Sequence, residues 1–226
     1  MIRLGLIGCG HWGRNYIKAA EDAGASIRVF QRGEIIGDVD AVCIATHPKD
    51  SPALCETVLA SGLPVLCEKP AGLSMADAER IQRAEAASTA FVLVGHQHLF
   101  AEGFEEMRAS GAPDAAAFFT GPTSRNDYSA LWDYGPHAVS CLLALNDPPN
   151  SHNWAVGISP LKRATVIASG ETCRYIYDGY APAEPPLTRQ VRAFAKAVRA
   201  NGTDDYRFGA KWAVDVARVL ETANKQ

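Results

Sequence analysis

A glycine-rich turn inside the first thirteen residues constrains this chain more than any other feature. Arg3-Leu-Gly-Leu-Ile-Gly8 is a short apolar run, Gly8-Cys-Gly10-His-Trp-Gly13 follows at once, and Arg14 to Gly24 carries apolar residues at helical spacing. Strand, G-x-G-x-x-G and helix in that order give the three glycines three different tasks. Gly8 permits the tight turn, Gly10 lets a pyrophosphate approach the backbone, and Gly13 lets the helix pack close to the strand. The unpaired N–H groups and the positive end of the helix then face the anion. The plainer reading is a βα turn that needs glycine only for packing. The motif's frame, directly after a strand, favours a dinucleotide, with Gly8, Gly10, His11, Trp12 and Gly13 as contacts.

The chain then alternates. Ser26–Phe30 and Ala41–Ala45 read as the second and third strands, Val65–Cys67 as the fourth and Phe91–Gly95 as the fifth. Ser51-Pro52 starts the helix that Gly62 ends, and Ser74-x-x-Asp77 is a capping-box pattern opening a helix with Ala78, Ile81 and Ala84 inward. Strands alternating with helices predict a parallel, doubly wound sheet. Near residue 100 the rhythm changes. A bridging helix over Glu102–Ser110 leads to short strands at Ala115–Thr120, Trp154–Ile158, Thr165–Ser169 and Thr172–Tyr177, with Gly170-Glu171 as a hairpin turn. Tyr134–Leu145 reads as a helix after a Gly-Pro turn. Two amphipathic helices close the chain, one carrying Leu187, Val191, Phe194 and Val198, the other Phe208, Trp212, Val216 and Leu220. The expectation is an N-terminal dinucleotide-binding domain over residues 1–100 and a C-terminal α+β domain on an antiparallel or mixed sheet over 101–226.

Composition removes several function classes. The 226 residues have a formal net charge of −3 with both signs scattered, so no basic stripe suggests nucleic acid. No apolar run approaches membrane-spanning length. The chain enters its first strand without a leader-like segment, and six cysteines without a C-x-x-C pair fit a reducing cytoplasm. His96 and His98 resemble a metal pair, but no third ligand is in view and no metal is expected.

In a doubly wound sheet the ligand lies at the carboxyl ends of the strands. Thr46-His47-Pro48, Glu68-Lys69-Pro70 and Gly95-His-Gln-His98 fall there. A lysine at a strand end can reach a carbonyl or alcohol oxygen above a nicotinamide and stabilise a developing alkoxide. A solvated lysine in a βα loop is the plainer reading. Trp132 is a candidate for stacking on a sugar ring, with a core or interface role the plainer alternative.

Gly8-x-Gly-x-x-Gly13, Ala45-Thr46, Cys67-Glu-Lys-Pro70 and Asp133-x-Gly135-x-His137, in this order, resemble the Gfo/Idh/MocA-type oxidoreductases. The likeness runs over almost the whole chain. It implies a nucleotide-binding Rossmann domain followed by a domain on an open, mostly antiparallel sheet. It also implies NAD(P)-dependent hydride transfer to or from a secondary alcohol or carbonyl of a small sugar, cyclitol or related compound. Lys69, Asp133 and His137 would be the catalytic residues, with Lys69 and His137 meeting across a cleft. Gln31, Arg32, Thr46, His47, Glu68 and Lys69 would join the glycine turn in holding the cofactor.

Departures from the family pattern sharpen these expectations. Phe30 to Asp40 leaves no room for the usual helix–strand–helix, so one helix–strand unit is missing and strand two should lie at an edge. Gln31-Arg32 replace the acidic residue that usually grips the ribose, which tilts the expectation to NADP over NAD through Arg32. Ser140 stands where an aspartate commonly follows the histidine, Ser51 where a histidine follows the Thr-Pro turn, Ser129–Trp132 where a glycine run precedes the motif, and a position near His98 where an arginine is often found. Two other functions compete: a non-catalytic nucleotide-, sugar- or partner-binding protein, and a non-redox lyase or hydrolase with retained cofactor. The partners expected are a small-molecule substrate and a second copy of the chain, in a homodimer or larger assembly through the C-terminal sheet, with neither nucleic acid nor membrane.

Overall fold

The computed structural model describes residues 1–31, 33–111, 114–122, 128–145, 153–169, 174–178 and 184–225. Its elements fall into two compact units that are discontinuous in sequence, one of Met1–Gly95 with Leu187–Ala217, the other of His96–Pro186 with Arg218–Gln226.

The first unit is built on five parallel strands: β1 (Arg3–Ile7), β2 (Ser26–Phe30), β3 (Ala41–Ile44), β4 (Val65–Cys67) and β5 (Val92–Val94), in the order β2-β1-β3-β4-β5. β3, β4 and β5 are buried on both faces, so they read as unbroken apolar runs without alternation. Helices α1 (Gly13–Asp22), α2 (Ser51–Ala60) and α3 (Met75–Ala86) make the crossovers after β1, β3 and β4. The order reverses direction on either side of β1, which places a crevice at the carboxyl ends of β1 and β3. β2 is an edge, and among the described residues no strand lies beyond it, as expected from the short Phe30–Asp40 connection. That connection is tied to β1 by Arg3, whose backbone N–H donates to Asp40 Oδ2 at 2.8 Å and whose guanidinium pairs with Asp38 and Asp40.

Ser74 caps α3 as expected, its Oγ accepting from the Asp77 N–H at 3.1 Å. The reciprocal bond is displaced by one residue, because Asp77 Oδ2 accepts from Leu73 N, not from Ser74. In α6 (Pro186–Ala200), Leu187, Val191 and Phe194 are buried. Phe194 meets Phe91 edge-on, and Gln190 Nε2 donates to the Val94 carbonyl at the end of β5.

The second unit has a mixed four-stranded sheet of β6 (Asp114–Gly121), β7 (Trp154–Ile158), β8 (Arg163–Ser169) and β9 (Arg174–Asp178), ordered β7-β6-β8-β9. β6–β7 is parallel, and β6–β8 and β8–β9 are antiparallel. The Gly170-Glu171 turn lies outside the described residues. Before this sheet come a 3-10 turn at Gln97–Phe100 and the short α4 (Phe104–Ala109). α7 (Lys211–Ala223) ends the fold.

One expected boundary is corrected. α5 runs Ala130–Ala144 and takes Gly135-Pro136 into its interior instead of starting after them. The helix begins at its N-cap Ser129, so Asp133, Gly135 and His137 all sit on helix. Gly135 has a packing reason for lacking a side chain: a Cβ there would come within 2.5 Å of Leu220. No helix among the described residues is long and apolar enough to cross a membrane.

Candidate active site

The glycine turn separates two requirements. A Cβ on Gly8, whose φ is +94°, would lie 2.6 Å from the Ala45 carbonyl oxygen, and one on Gly13 would lie 2.0 Å from the Gly8 oxygen. These two glycines are demanded by the close approach of β1, β3 and α1. A Cβ on Gly10 would meet nothing within 4 Å. The protein's own packing gives no reason for glycine there, whereas a backbone left bare toward open space suits a ligand that comes against it. His11 is exposed, and Trp12 is half-buried with its indole N–H enclosed and lacking a hydrogen-bond acceptor among the described residues.

At the next strand end, Thr46 and His47 follow β3. His47 Nδ1 accepts from the Lys49 N–H at 3.1 Å, which sets the neutral ring with its proton on Nε2. Ser51, where a histidine was the family expectation, is buried at the start of α2 and donates to the His47 carbonyl. After β4, Glu68 is buried and accepts a 2.6 Å bond from the Tyr16 hydroxyl. Burial and the facing Glu68 carboxylate push the Tyr16 phenol well above its ordinary range, so it stays a donor. Gly95 lets this carboxylate fit, since a Cβ there would stand 2.8 Å from Glu68 Oε2. Lys69 follows at the same strand end, half-buried. Tyr16 was missed from the sequence, although its place three residues beyond Gly13, on the buried face of α1, was the available signal.

The second unit carries the other expected residues. Asp133 and His137 are four residues apart on α5, hence on one face of the helix. His137 is buried, its ring stacked on Phe119 of β6 at 5.5 Å between centroids and met edge-on by His98 at 4.6 Å. His98 also meets Phe119 edge-on at 5.0 Å. His98 therefore helps to enclose His137, a pairing that the spacing along the chain does not reveal. Ser140 Oγ donates to the His137 carbonyl, so this serine serves the helix backbone. Among the described residues no group of three or more His, Cys, Asp or Glu is placed to hold a metal ion.

At the end of β2, Gln31 is exposed and Arg32 lies outside the described residues. Glu34 folds back over the strand end, its Oε2 accepting from the Gln31 N–H at 2.9 Å and its Oε1 pairing with the Arg28 guanidinium.

Comparison with known proteins places this geometry. Residues 30–96 match the model of the Gfo/Idh/MocA oxidoreductase family, described as an NAD-binding Rossmann fold. The rhizopine catabolism protein MocA of Rhizobium meliloti is 27% identical over 129 residues, 47% of this chain and 41% of that protein. Both matches are likenesses to the Gfo/Idh/MocA oxidoreductases over part of the chain. The match to MocA takes in less than half of that curated relative's length. The family segment includes Thr46, His47, Glu68 and Lys69 but starts after the glycine turn, so the turn's geometry is separate support for the same fold. GenD2 from gentamicin A biosynthesis, solved in complex with NAD, superposes with a TM-score of 0.79 at 18% identity, over 99% of this chain and 93% of GenD2. The myo-inositol 2-dehydrogenase of Lactobacillus plantarum does so with a TM-score of 0.79 at 10% identity, over 99% and 96%. At such identities the likeness is one of fold.

Proposed function

We propose that this chain is a member of the Gfo/Idh/MocA family and an NAD(P)-dependent oxidoreductase acting on a secondary alcohol or carbonyl of a small sugar, cyclitol or related compound. The observation that carries the reading is Gly10, bare toward open space between two glycines that packing demands. The residues present fit a dinucleotide: Gly8, Gly10, His11, Trp12 and Gly13 would hold the pyrophosphate, and Thr46, His47, Glu68 and Lys69 the nicotinamide side. When bound, the nicotinamide supplies the hydride chemistry. GenD2 with NAD and the inositol dehydrogenase support the class of cofactor and substrate by analogy.

The chain's own residues then divide the remaining work. In the oxidation direction His137, as neutral imidazole, takes the alcohol proton. Lys69 holds the substrate oxygen by charge and hydrogen bonding, and opposes the charge that develops there. Asp133, one turn before His137, orients the imidazole or takes a substrate hydroxyl. Glu68 is held by Tyr16, which keeps the strand end bearing Lys69 in a defined position.

The deciding experiment is a screen of polyols, sugars and cyclitols with NAD and NADP, read at the absorbance of the reduced cofactor. With an active substrate found, His137→Ala and Lys69→Ala should each lower kcat by about 100- to 10,000-fold while leaving cofactor affinity nearly intact. Loss of cofactor binding in both variants, or undiminished turnover, would sink the assignment. We further propose that the chain works as a homodimer or larger homo-oligomer joined through the sheet of its second unit.

A further inference from the structure

We propose that His98 is a positioning residue for His137, its ring wedged beside the stacked His137 and Phe119 rings so that the imidazole keeps one orientation. The proposal rests on the reading of His137 as the group that takes the alcohol proton, and adds the device that aims it.

His98 belongs to none of the motifs that point to the reaction, yet the fold spends a buried polar ring on it. Its relative exposure is 5%, and that of His137 is 6%. At such burial, packing and not water sets how each ring is turned. The three rings come from elements far apart in the chain: His98 from the 3-10 turn Gln97–Phe100, Phe119 from β6 and His137 from α5. Each touches the other two. The centroids lie 4.6 Å apart for His98 and His137, 5.0 Å for His98 and Phe119, and 5.5 Å for Phe119 and His137.

These distances and angles divide the work between the two neighbours. Phe119 lies within 26° of the His137 plane. A stacked ring of this kind resists tilting of the imidazole but lets it slide along the contact. His98 stands at 87° to the His137 ring. Were it on the far face of His137, it would be about twice as far from Phe119 as the 5.0 Å observed. It therefore fills the corner on the Phe119 side, where it stops the slide that stacking leaves open. The stop is itself held. Leu99 N–H donates to the His96 carbonyl at 3.0 Å and Ala101 N–H to the His98 carbonyl at 3.2 Å, while Leu99 and Phe100 are buried beside it. A proton acceptor kept in one orientation by locked neighbours loses little rate to misaligned encounters.

Steady-state kinetics of the full chain, with the substrate found in the polyol, sugar and cyclitol screen, test this. His98→Leu fills the space without a ring and should lower kcat by about tenfold to 100-fold, the loss that a misplaced group brings. KM and nucleotide affinity should stay within about twofold, since binding is left alone. His98→Phe returns a ring to the same place and should keep kcat within about threefold of wild type. Phe119→Leu loosens the imidazole from the stacked side and should also lower kcat. Because both positions act through one imidazole, the double variant His98→Leu with Phe119→Leu should lose little more than the worse single variant. If thermal unfolding shows that His98→Leu does not fold, the loss in Phe119→Leu against the retained kcat of His98→Phe decides. Undiminished kcat in His98→Leu, an equal loss in His98→Phe, or losses that multiply in the double variant overturn this proposal alone, provided that His137→Ala is crippled. Full turnover in His137→Ala overturns the base reading, and this proposal with it.

Discussion

A methyl group on Gly10 would touch no protein atom within 4 Å, while the same methyl on Gly13 would press against a backbone oxygen 2.0 Å away. The two substitutions should therefore fail in opposite ways. Gly10→Val should leave the thermal midpoint of the free protein nearly unchanged and abolish nucleotide binding, because only the ligand needs the space. Gly13→Ala should destabilise the chain by about 2 kcal/mol or more, since a packed backbone cannot yield. Equal loss of stability in both variants would show the whole turn to be structural. Tyr16 gives a second residue-scale prediction. Its phenol is raised by burial and by Glu68, so folded and unfolded chains bind its proton equally below about pH 10. Above that, the unfolded phenol ionises while the folded one does not, and stability falls with rising pH. Tyr16→Phe should cost about 2 kcal/mol at neutral pH through the lost bond to a buried carboxylate. It should also show a shallower alkaline decline in urea titrations run from pH 8 to 11, and an unaltered slope would remove Tyr16 as its cause. The three glycines were legible because each answers to a spacing in the chain. Tyr16 and Glu34 were not, since their partners are set by a helix face and a three-residue turn.

Elements were read well where one physical rule governed them alone. The buried runs at β3 and β4 and the Ser51-Pro52 start of α2 lie where the pattern puts them. α5 shows how the reading goes astray. Gly-Pro is usually a turn signal, yet here α5 packs on β6 and β7 and holds the helix through Pro136. Gly135 allows the close approach of Leu220, so tertiary packing overrides local preference. His98 and His137 are a pair for the same reason, as a 3-10 turn and a helix distant in sequence meet over Phe119. The Ser74 cap is the opposite case, local and self-contained. Ser74→Ala should destabilise the first unit by about 1 kcal/mol through the lost bond from the Asp77 amide. Chemical denaturation would show it as a lower midpoint at constant slope, and an unchanged midpoint would mean that the Asp77 bond to Leu73 holds the turn alone.

At the scale of the whole molecule, the alternation of strands and helices made the parallel sheet legible, and the short Phe30–Asp40 connection gave β2 its edge. The second sheet was legible as antiparallel or mixed, but which pair is parallel was not, because the β6–β7 contact depends on where α5 returns the chain. Its inner face carries Ala115, Ala117 and Phe119 against Ala164, Val166 and Ala168, all buried. On the other face Phe118 is 40% exposed, opposite Thr165 on β8 and Ala155 on β7, with Ala116 and Ile167 next along the same pair of strands. An apolar sheet face of this kind is stabilised when a second layer covers it, and a second copy of the same face can supply that layer with two-fold symmetry. Sedimentation of the purified chain should show a dimer or larger species at micromolar concentration. Phe118→Glu would place two carboxylates near the symmetry axis and should shift the species to monomer without lowering nucleotide affinity, since Phe118 belongs to the second unit and the glycine turn to the first. A wild-type chain that sediments as a monomer throughout, or a Phe118→Glu chain that stays assembled, would assign this face to some role other than self-association.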